Sequence, residues 1–294
     1  MSKLDNYRYG MARRVTTVYR RAGVVLGSAA FETLLETIHG TSTISLYGFY
    51  CHAGDSYGST SPSQASSFLS SEVETVNRAA KMALDKILIW SGGKVERPQF
   101  VLSIGSTPTA HSASAETRAR LQSVLYGTLE LHAGKHMPSP IAAENVDAPS
   151  SSGNYPMLDL QQLNTGLIER ESIAQRVLAT IISYYPGRGA NGTDEALCDA
   201  GGIAMSKDTG PIRGYGDVID KPWRLGRISQ EHGVLTYKTD AGQPSTGLEV
   251  GSTVGIIGQH ACLIAAGHPW YYITDSSTGD EDKVVDIWVP WKGW

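Results

Sequence analysis

No run of lysine or arginine longer than two residues occurs in this chain of 294 residues, and its net charge is −4. That excludes a basic face for nucleic acid and a polybasic patch for a membrane surface. Long apolar runs are missing too. None approaches the roughly 20 residues that a bilayer span requires, and the N-terminal stretch "MSKLDNYRYGMARR" has no apolar core of the secretory-signal type. A cytoplasmic location is the expectation. Cysteine is scarce, with Cys51, Cys198 and Cys262 an odd number placed far apart. They exclude a disulfide framework and suit a reducing compartment. Any role of Cys262 is therefore chemical or one of packing. No internal repeat is visible. What remains is a chain 41% hydrophobic and 18% charged, long enough for two domains with full cores.

Between residues 28 and about 205, helical and strand periods alternate. "AAFETLLETI" is amphipathic at helical spacing, and the β-branched and aromatic "STISLYGFYCHAG" follows as a strand. "SQASSFLSSEVETVNRAAKMALDKIL" reads as a long helix with Ser63 as its cap, before a strand at "QFVLSIGST". Helix "SAETRARLQSVL" and strands "YGTLELHAG", "RVLATIISYYP" and "EALCDAGGIAMS" continue the series. Strand, helix, strand in repetition predicts parallel pairing with helices outside. Glycine recurring at strand C-termini points to an α/β barrel with its site at that rim. After about residue 206, short strands split by Gly, Pro and Asp turns predict a small all-β domain. The expected division is thus 1–205, containing the barrel, and 206–294.

Two groups of residues could carry chemistry. "FYCHAGDSYGST" sets Tyr50, His52 and Tyr57 around a glycine turn, "SIGSTPTA" places Gly105, Ser106 and Thr107 at a strand end, and "LHAG" ends another strand at Gly134. Small residues with free N–H groups and a hydroxyl at such turns form an anion nest suited to phosphate; they are also ordinary turn residues. In "VGIIGQHACLIAAGH", His260 and Cys262 stand two apart in an apolar, strand-like run. Residues i and i+2 of a strand share a face, so both could reach one ion, and zinc takes both donor types. A half-buried histidine beside a small apolar thiol is the plainer alternative.

Taken in order, "LYGFYCHAGDSYGS", "LSIGSTPTA", "LELHAG" with "NYPMLDLQQ", "CDAGGIAMSKDTGP", "SQEHG", "GQHACL" and "VVDIWVPWKGW" resemble the fungal D-serine dehydratase group. That group lies within the D-threonine aldolase and alanine racemase-like, fold-type III family of pyridoxal-phosphate proteins. The resemblance implies a barrel followed by a β domain, the architecture read above, and a homodimer acting on a small D-amino acid. By position it makes Tyr50 and Tyr57 the aromatic hydroxyls near the cofactor. Thr107 becomes the phosphate-loop residue, with Gly134, Gly153 and Asn154 as further cofactor contacts, and His260 and Cys262 become the zinc pair. Thiolate favours zinc over the harder ions associated with the aldolases, whose second ligand tends to be a carboxylate. The implied reaction is β-elimination from D-serine to pyruvate and ammonia, with zinc polarising the departing hydroxyl. The alternatives are a D-threonine aldolase-type lyase and a non-catalytic fragment or metal-binding module. Glu231 and His232 of "SQEHG" also carry the pattern, although His232 would serve equally as a packed strand histidine.

The sequence departs from the family pattern twice. An Arg-Pro-His-x-Lys-Thr-His-Lys type of motif, bearing the Schiff-base lysine, is absent. The ten lysines stand in other contexts, with Lys207 in "AMSKDTGP" the nearest substitute. Roughly the first third of the enzyme is therefore expected to be missing, and the chain to be inactive. Residues 135–153, "KHMPSPIAAENVDAPSSSG", also separate Gly134 from Asn154, which the family joins as "HAGNYP". This Pro/Ser/Ala-rich stretch reads as a flexible loop, from a retained intron or as a lid-like insertion of a paralogue.

Overall fold

The computed structural model describes residues 9–10, 23–94, 99–113, 125–132, 136–138, 154–156, 158–238, 247–275, 279 and 282–290. The chain forms two compact units, Met1–Gly134 with Asn164–Ile168, and Lys135–Leu163 with Glu169–Trp294.

The first unit begins with strand β1 (Tyr9–Gly10) and helix α1 (Ala29–His39). Ser28 caps α1 by accepting from the Phe31 N–H at 3.2 Å, and Phe31, Leu35 and Ile38 form its buried face at helical spacing. Strand β2 (Gly48–Cys51) leads to helix α2 (Pro62–Trp90). The cap of α2 is Ser61 rather than Ser63. Pro62, which lacks an N–H and has a preset φ, takes the first helical position and fixes the start there. Ala65, Leu69, Val73, Val76, Ala80 and Ala83 bury one stripe of α2.

Strand β3 (Phe100–Ile104), short helix α3 (Thr107–His111) and strand β4 (Gly127–Leu131) complete a parallel sheet of order β1-β2-β3-β4. Its core includes Phe49 edge-on to Phe100, with ring centroids 5.4 Å apart. Gly48 permits close approach to β3, since a Cβ there would lie 1.9 Å from the Val101 carbonyl oxygen. The expected strand-helix-strand unit with parallel pairing is thus present. The helix expected at "SAETRARLQSVL" falls almost wholly outside the described residues.

In the second unit, strands β5 (His136–Pro138) and β6 (Asn154–Pro156) pair antiparallel, Met137 opposite Tyr155. Part of the 135–153 segment therefore supplies a strand. After short helix α4 (Leu160–Leu163) come β7 (Val177–Tyr185), β8 (Glu195–Cys198), short helix α5 (Gly202–Met205), β9 (Gly216–Val218), β10 (Trp223–Ile228), β11 (Gly233–Tyr237) and β12 (Thr253–Gly258). The six strands β7 to β12 close into an antiparallel barrel of order β10-β11-β8-β7-β12-β9. Helix α6 (Ala261–Gly267) and the hairpin β13 (Tyr271–Thr274) with β14 (Val284–Trp288) follow.

This corrects the expected element order. β7 and β8 were assigned to the parallel barrel ahead of a division near 205, yet Ile181 pairs antiparallel with Cys198 inside the β-barrel unit. The link 186–194 is too short for a parallel crossover, which takes a dozen residues or more. It turns instead, with Gly187 at φ +66° and its N–H donating to Asp194 Oδ1 at 2.8 Å. Along β7, Val177, Ala179 and Ile181 point inward while Leu178 and Ile182 face out. Trp223 fills the barrel with Leu225, Leu235 and Ile256, its ring perpendicular to that of Tyr237 at 5.4 Å. Among the described residues no helix is long and apolar enough to cross a membrane.

Candidate functional site

Each unit presents one group of candidate side chains. In the first they stand at the C-terminal ends of β2, β3 and β4. Tyr50 lies on β2 and Tyr57 in the 3-10 turn Gly54–Gly58, and His52 bridges them, with ring centroids 6.5 Å from Tyr50 and 6.1 Å from Tyr57. His132, just past β4, extends the row at 5.7 Å from Tyr50. His52 Nδ1 lies 3.1 Å from the Gly105 carbonyl oxygen. Gly105 has φ +120°, and a Cβ there would come within 2.6 Å of the His132 carbonyl oxygen, so only glycine fits this turn. The loops after β2 and β3 are joined by Ser56 Oγ and Ser106 Oγ at 2.5 Å.

Thr107 opens α3 and is 1% exposed, and its Oγ1 is buried with no hydrogen-bond partner among the described residues. An orphaned buried hydroxyl costs about 1–3 kcal/mol, so this one fits a ligand oxygen. Sequence reasoning missed a neighbouring trio. Ser103 Oγ donates to Glu130 Oε1 at 2.9 Å and lies 2.6 Å from His132 Nε2, and that nitrogen is 2.7 Å from Glu130 Oε1. The signal lay in the alternation of "GTLELH", which puts Glu130 and His132 on one face.

The second group surrounds His260, and here the expected geometry is corrected. β12 stops at Gly258, His260 is the extended residue before α6 at φ −138° and ψ 100°, and Cys262 is the second residue of that helix. The pair therefore spans a strand-to-helix junction instead of one strand face. Buried Asp159 causes the turn. Its Oδ2 accepts from the Ala261 N–H at 2.8 Å, and its Oδ1 from the Gln162 N–H at 3.0 Å. Gln259 anchors the preceding residue by donating through Nε2 to the carbonyls of Ile212 and Gly214, both at 2.7 Å.

His260 Nδ1 lies 2.7 Å from Asp208 Oδ2, and Gln161 Nε2 donates to the same oxygen at 3.1 Å and to the Thr209 carbonyl at 2.9 Å. Among the described residues no three His, Cys, Asp or Glu side chains converge as a metal-holding group. Gly134 and Gly153 lie outside the described residues, and Asn154 stands opposite Pro138 in the β5-β6 ladder. Glu231 and His232 lie exposed in the turn between β10 and β11, where the His232 carbonyl accepts from the Ser229 N–H at 2.9 Å.

A parallel α/β unit with candidate side chains at its strand ends, accompanied by a closed β-barrel, is the architecture of the alanine racemase-like class. The structure resembles an alanine racemase-like protein from Idiomarina loihiensis (TM-score 0.63, 25% identity), covering 93% of this chain and 62% of that one. It also resembles D-threo-3-hydroxyaspartate dehydratase from Delftia sp. HT23 (TM-score 0.65, 28% identity), covering 94% of this chain and 64% of that one. Residues 174–274 match the family described as "Putative serine dehydratase domain". The sequence is 42% identical over 281 residues to D-serine dehydratase of Schizosaccharomyces pombe, covering 93% of this chain and 58% of that protein. It is 31% identical to D-serine dehydratase of Saccharomyces cerevisiae, covering 94% of this chain and 60% of that protein. Along almost all of its length the chain is thus similar to D-serine dehydratases, and it carries a stretch that matches the serine dehydratase domain. It spans about three fifths of the length of these curated relatives.

Proposed function

We propose that the chain carries cofactor- and metal-binding parts of a D-serine dehydratase-like lyase that uses pyridoxal phosphate and zinc to convert D-serine to pyruvate and ammonia. The observation that carries the metal reading is His260 with its Nδ1 engaged by a carboxylate and Cys262 two residues on. The hydroxyaspartate dehydratase of Delftia has been solved as a His-to-Ala variant and as a Cys-to-Ala variant in the metal-free form, the substituted positions being two residues apart. That spacing is the one found here. An imidazole and a thiolate are a donor set zinc accepts, and two protein donors leave coordination positions for water or substrate.

In the first unit, Thr107 Oγ1 would hold the phosphate, with Tyr50 and Tyr57 bordering the cofactor and Gly134 as a further contact. When bound, pyridoxal phosphate supplies an electron sink and zinc a Lewis acid. Cys262, a soft donor, favours this reading over a D-threonine aldolase-type lyase with harder ions. The substrate would be a small D-amino acid and the intact assembly a homodimer in the cytoplasm.

Metal analysis tests the proposal. The purified chain is expected to hold about one zinc, and Cys262→Ser to lose most of it. Equal zinc in both proteins would remove the metal assignment.

A further inference from the structure

We infer that Asp208 is a positioning residue for the metal ligand His260, held in place by Gln161; this rests on the zinc reading above. Asp208 is 52 positions from His260 in the chain, in the segment after α5, yet its Oδ2 lies 2.7 Å from His260 Nδ1. An ionised carboxylate only accepts hydrogen bonds, so Nδ1 carries the hydrogen, and in its neutral form the ring then keeps its lone pair on Nε2. That is the tautomer a histidine needs to ligate through Nε2, and a carboxylate behind the ring also raises its donor strength.

The carboxylate is itself fixed from several sides. Gln161 Nε2 donates to the same Oδ2 at 3.1 Å, and Asp208 Oδ1 accepts from the Thr209 N–H at 3.1 Å. Gln161 is 3% exposed, and its backbone N–H donates to the Gln259 carbonyl at 3.3 Å, tying it to the residue before His260. Gly210 leaves the space these amides occupy, since a Cβ there would lie 2.7 Å from Gln259 Oε1. Ser206 holds φ +62° and ψ 178°, a region nearly reserved for glycine, and its Oγ accepts from the Asp208 N–H at 3.3 Å. An incidental surface ion pair would show neither the shared oxygen nor this network. At 17% side-chain exposure the imidazole is largely withdrawn from water, and Nδ1 faces Asp208 rather than solvent.

The test uses the 294-residue chain with zinc competed against a chromophoric chelator, and separately the metal-free chain with 15N-labelled histidine. Asp208→Ala is expected to weaken zinc about 10- to 100-fold and to convert the His260 resonances from one tautomer to a mixture. Asp208→Asn, nearly isosteric and so a control on folding, is expected to change both in the same direction but less, because its carbonyl still accepts from Nδ1. Parental zinc affinity and an unchanged tautomer in both variants would overturn the inference. If His260→Ala retains zinc, the metal reading itself fails, and the tautomer measurement in the metal-free chain still decides the role of Asp208.

Discussion

The 294-residue chain, supplied with pyridoxal phosphate and zinc, is expected to release no pyruvate from D-serine above background. Elimination needs a base at the α-carbon and an amine that anchors the cofactor, and a single lysine ordinarily serves both ends. General-base catalysis alone contributes about 10²- to 10⁴-fold, and losing the covalent anchor adds to the deficit. The lysine motif that the family resemblance implies has no counterpart among the ten lysines of this sequence. Several of those are committed elsewhere: Lys81 to Asp85 at 2.8 Å, Lys86 to Glu32 at 3.3 Å and Lys238 to Asp217 at 2.8 Å. Lys207 adjoins Asp208 in the second unit and is the nearest candidate substitute. A coupled assay for pyruvate reads the result directly. Pyruvate formed by this chain and abolished by Lys207→Ala would show that the catalytic lysine is Lys207 and that the chain is competent alone.

What the sequence made legible is what local patterns encode. The face of Phe31, Leu35 and Ile38, the long stripe of α2 and the parallel β2-α2-β3 unit follow from spacing and from a crossover long enough to hold a helix. Pairing direction is not local. "VLATIISYY" alternates as a half-buried strand does, in either direction, and only the length of the 186–194 link distinguishes the outcomes. The run from 254 to 268 failed for a related reason. A short apolar stretch carries no period that separates strand from helix, and the change at Gly258 is imposed by Asp159, about a hundred residues earlier. His260 and Cys262 were recognisable as candidate donors by type. Asp208 and Gln161 were not, because a supporting partner is chosen by the fold and leaves no spacing to read. Thr107 was legible as a candidate from its turn, whereas Glu130 and His132 needed the sheet that sets them beside Ser103.

Replacing Asp217 with asparagine is expected to destabilise the β-barrel unit by about 3 kcal/mol or more at neutral pH, the usual loss when one member of a buried ion cluster is neutralised. Asp217 lies on β9 with its side chain 5% exposed and faces three cations: Lys238 Nζ at 2.8 Å, Arg170 Nη2 at 3.0 Å and Arg224 Nε at 3.3 Å. Arg224 is also its direct partner across the β9-β10 pair, so the cluster ties strand pairing to charge. Burial pushes the Asp217 carboxyl up, but the hydrogen bond and charge of Lys238, the hydrogen bond from Arg170 and the charge of Arg224 outweigh it and hold the group below 3.8. A carboxyl depressed in the folded state stabilises the fold above its unfolded pKa of about 3.9, and this contribution disappears as pH falls through the folded value. The gap between parent and Asp217→Asn should therefore stay level from neutral pH down to about pH 5 and shrink below about pH 4, as the carboxyl takes up a proton first in the unfolded chain and, at lower pH, in the folded one. Hydrogen exchange in β9 and β10 across a urea series at pH 7, 5 and 3 measures that gap unit by unit. A difference below about 0.5 kcal/mol at pH 7 would mean that solvent screens the cluster as it does surface pairs, and an undiminished gap at pH 3 would assign the loss to packing instead of charge.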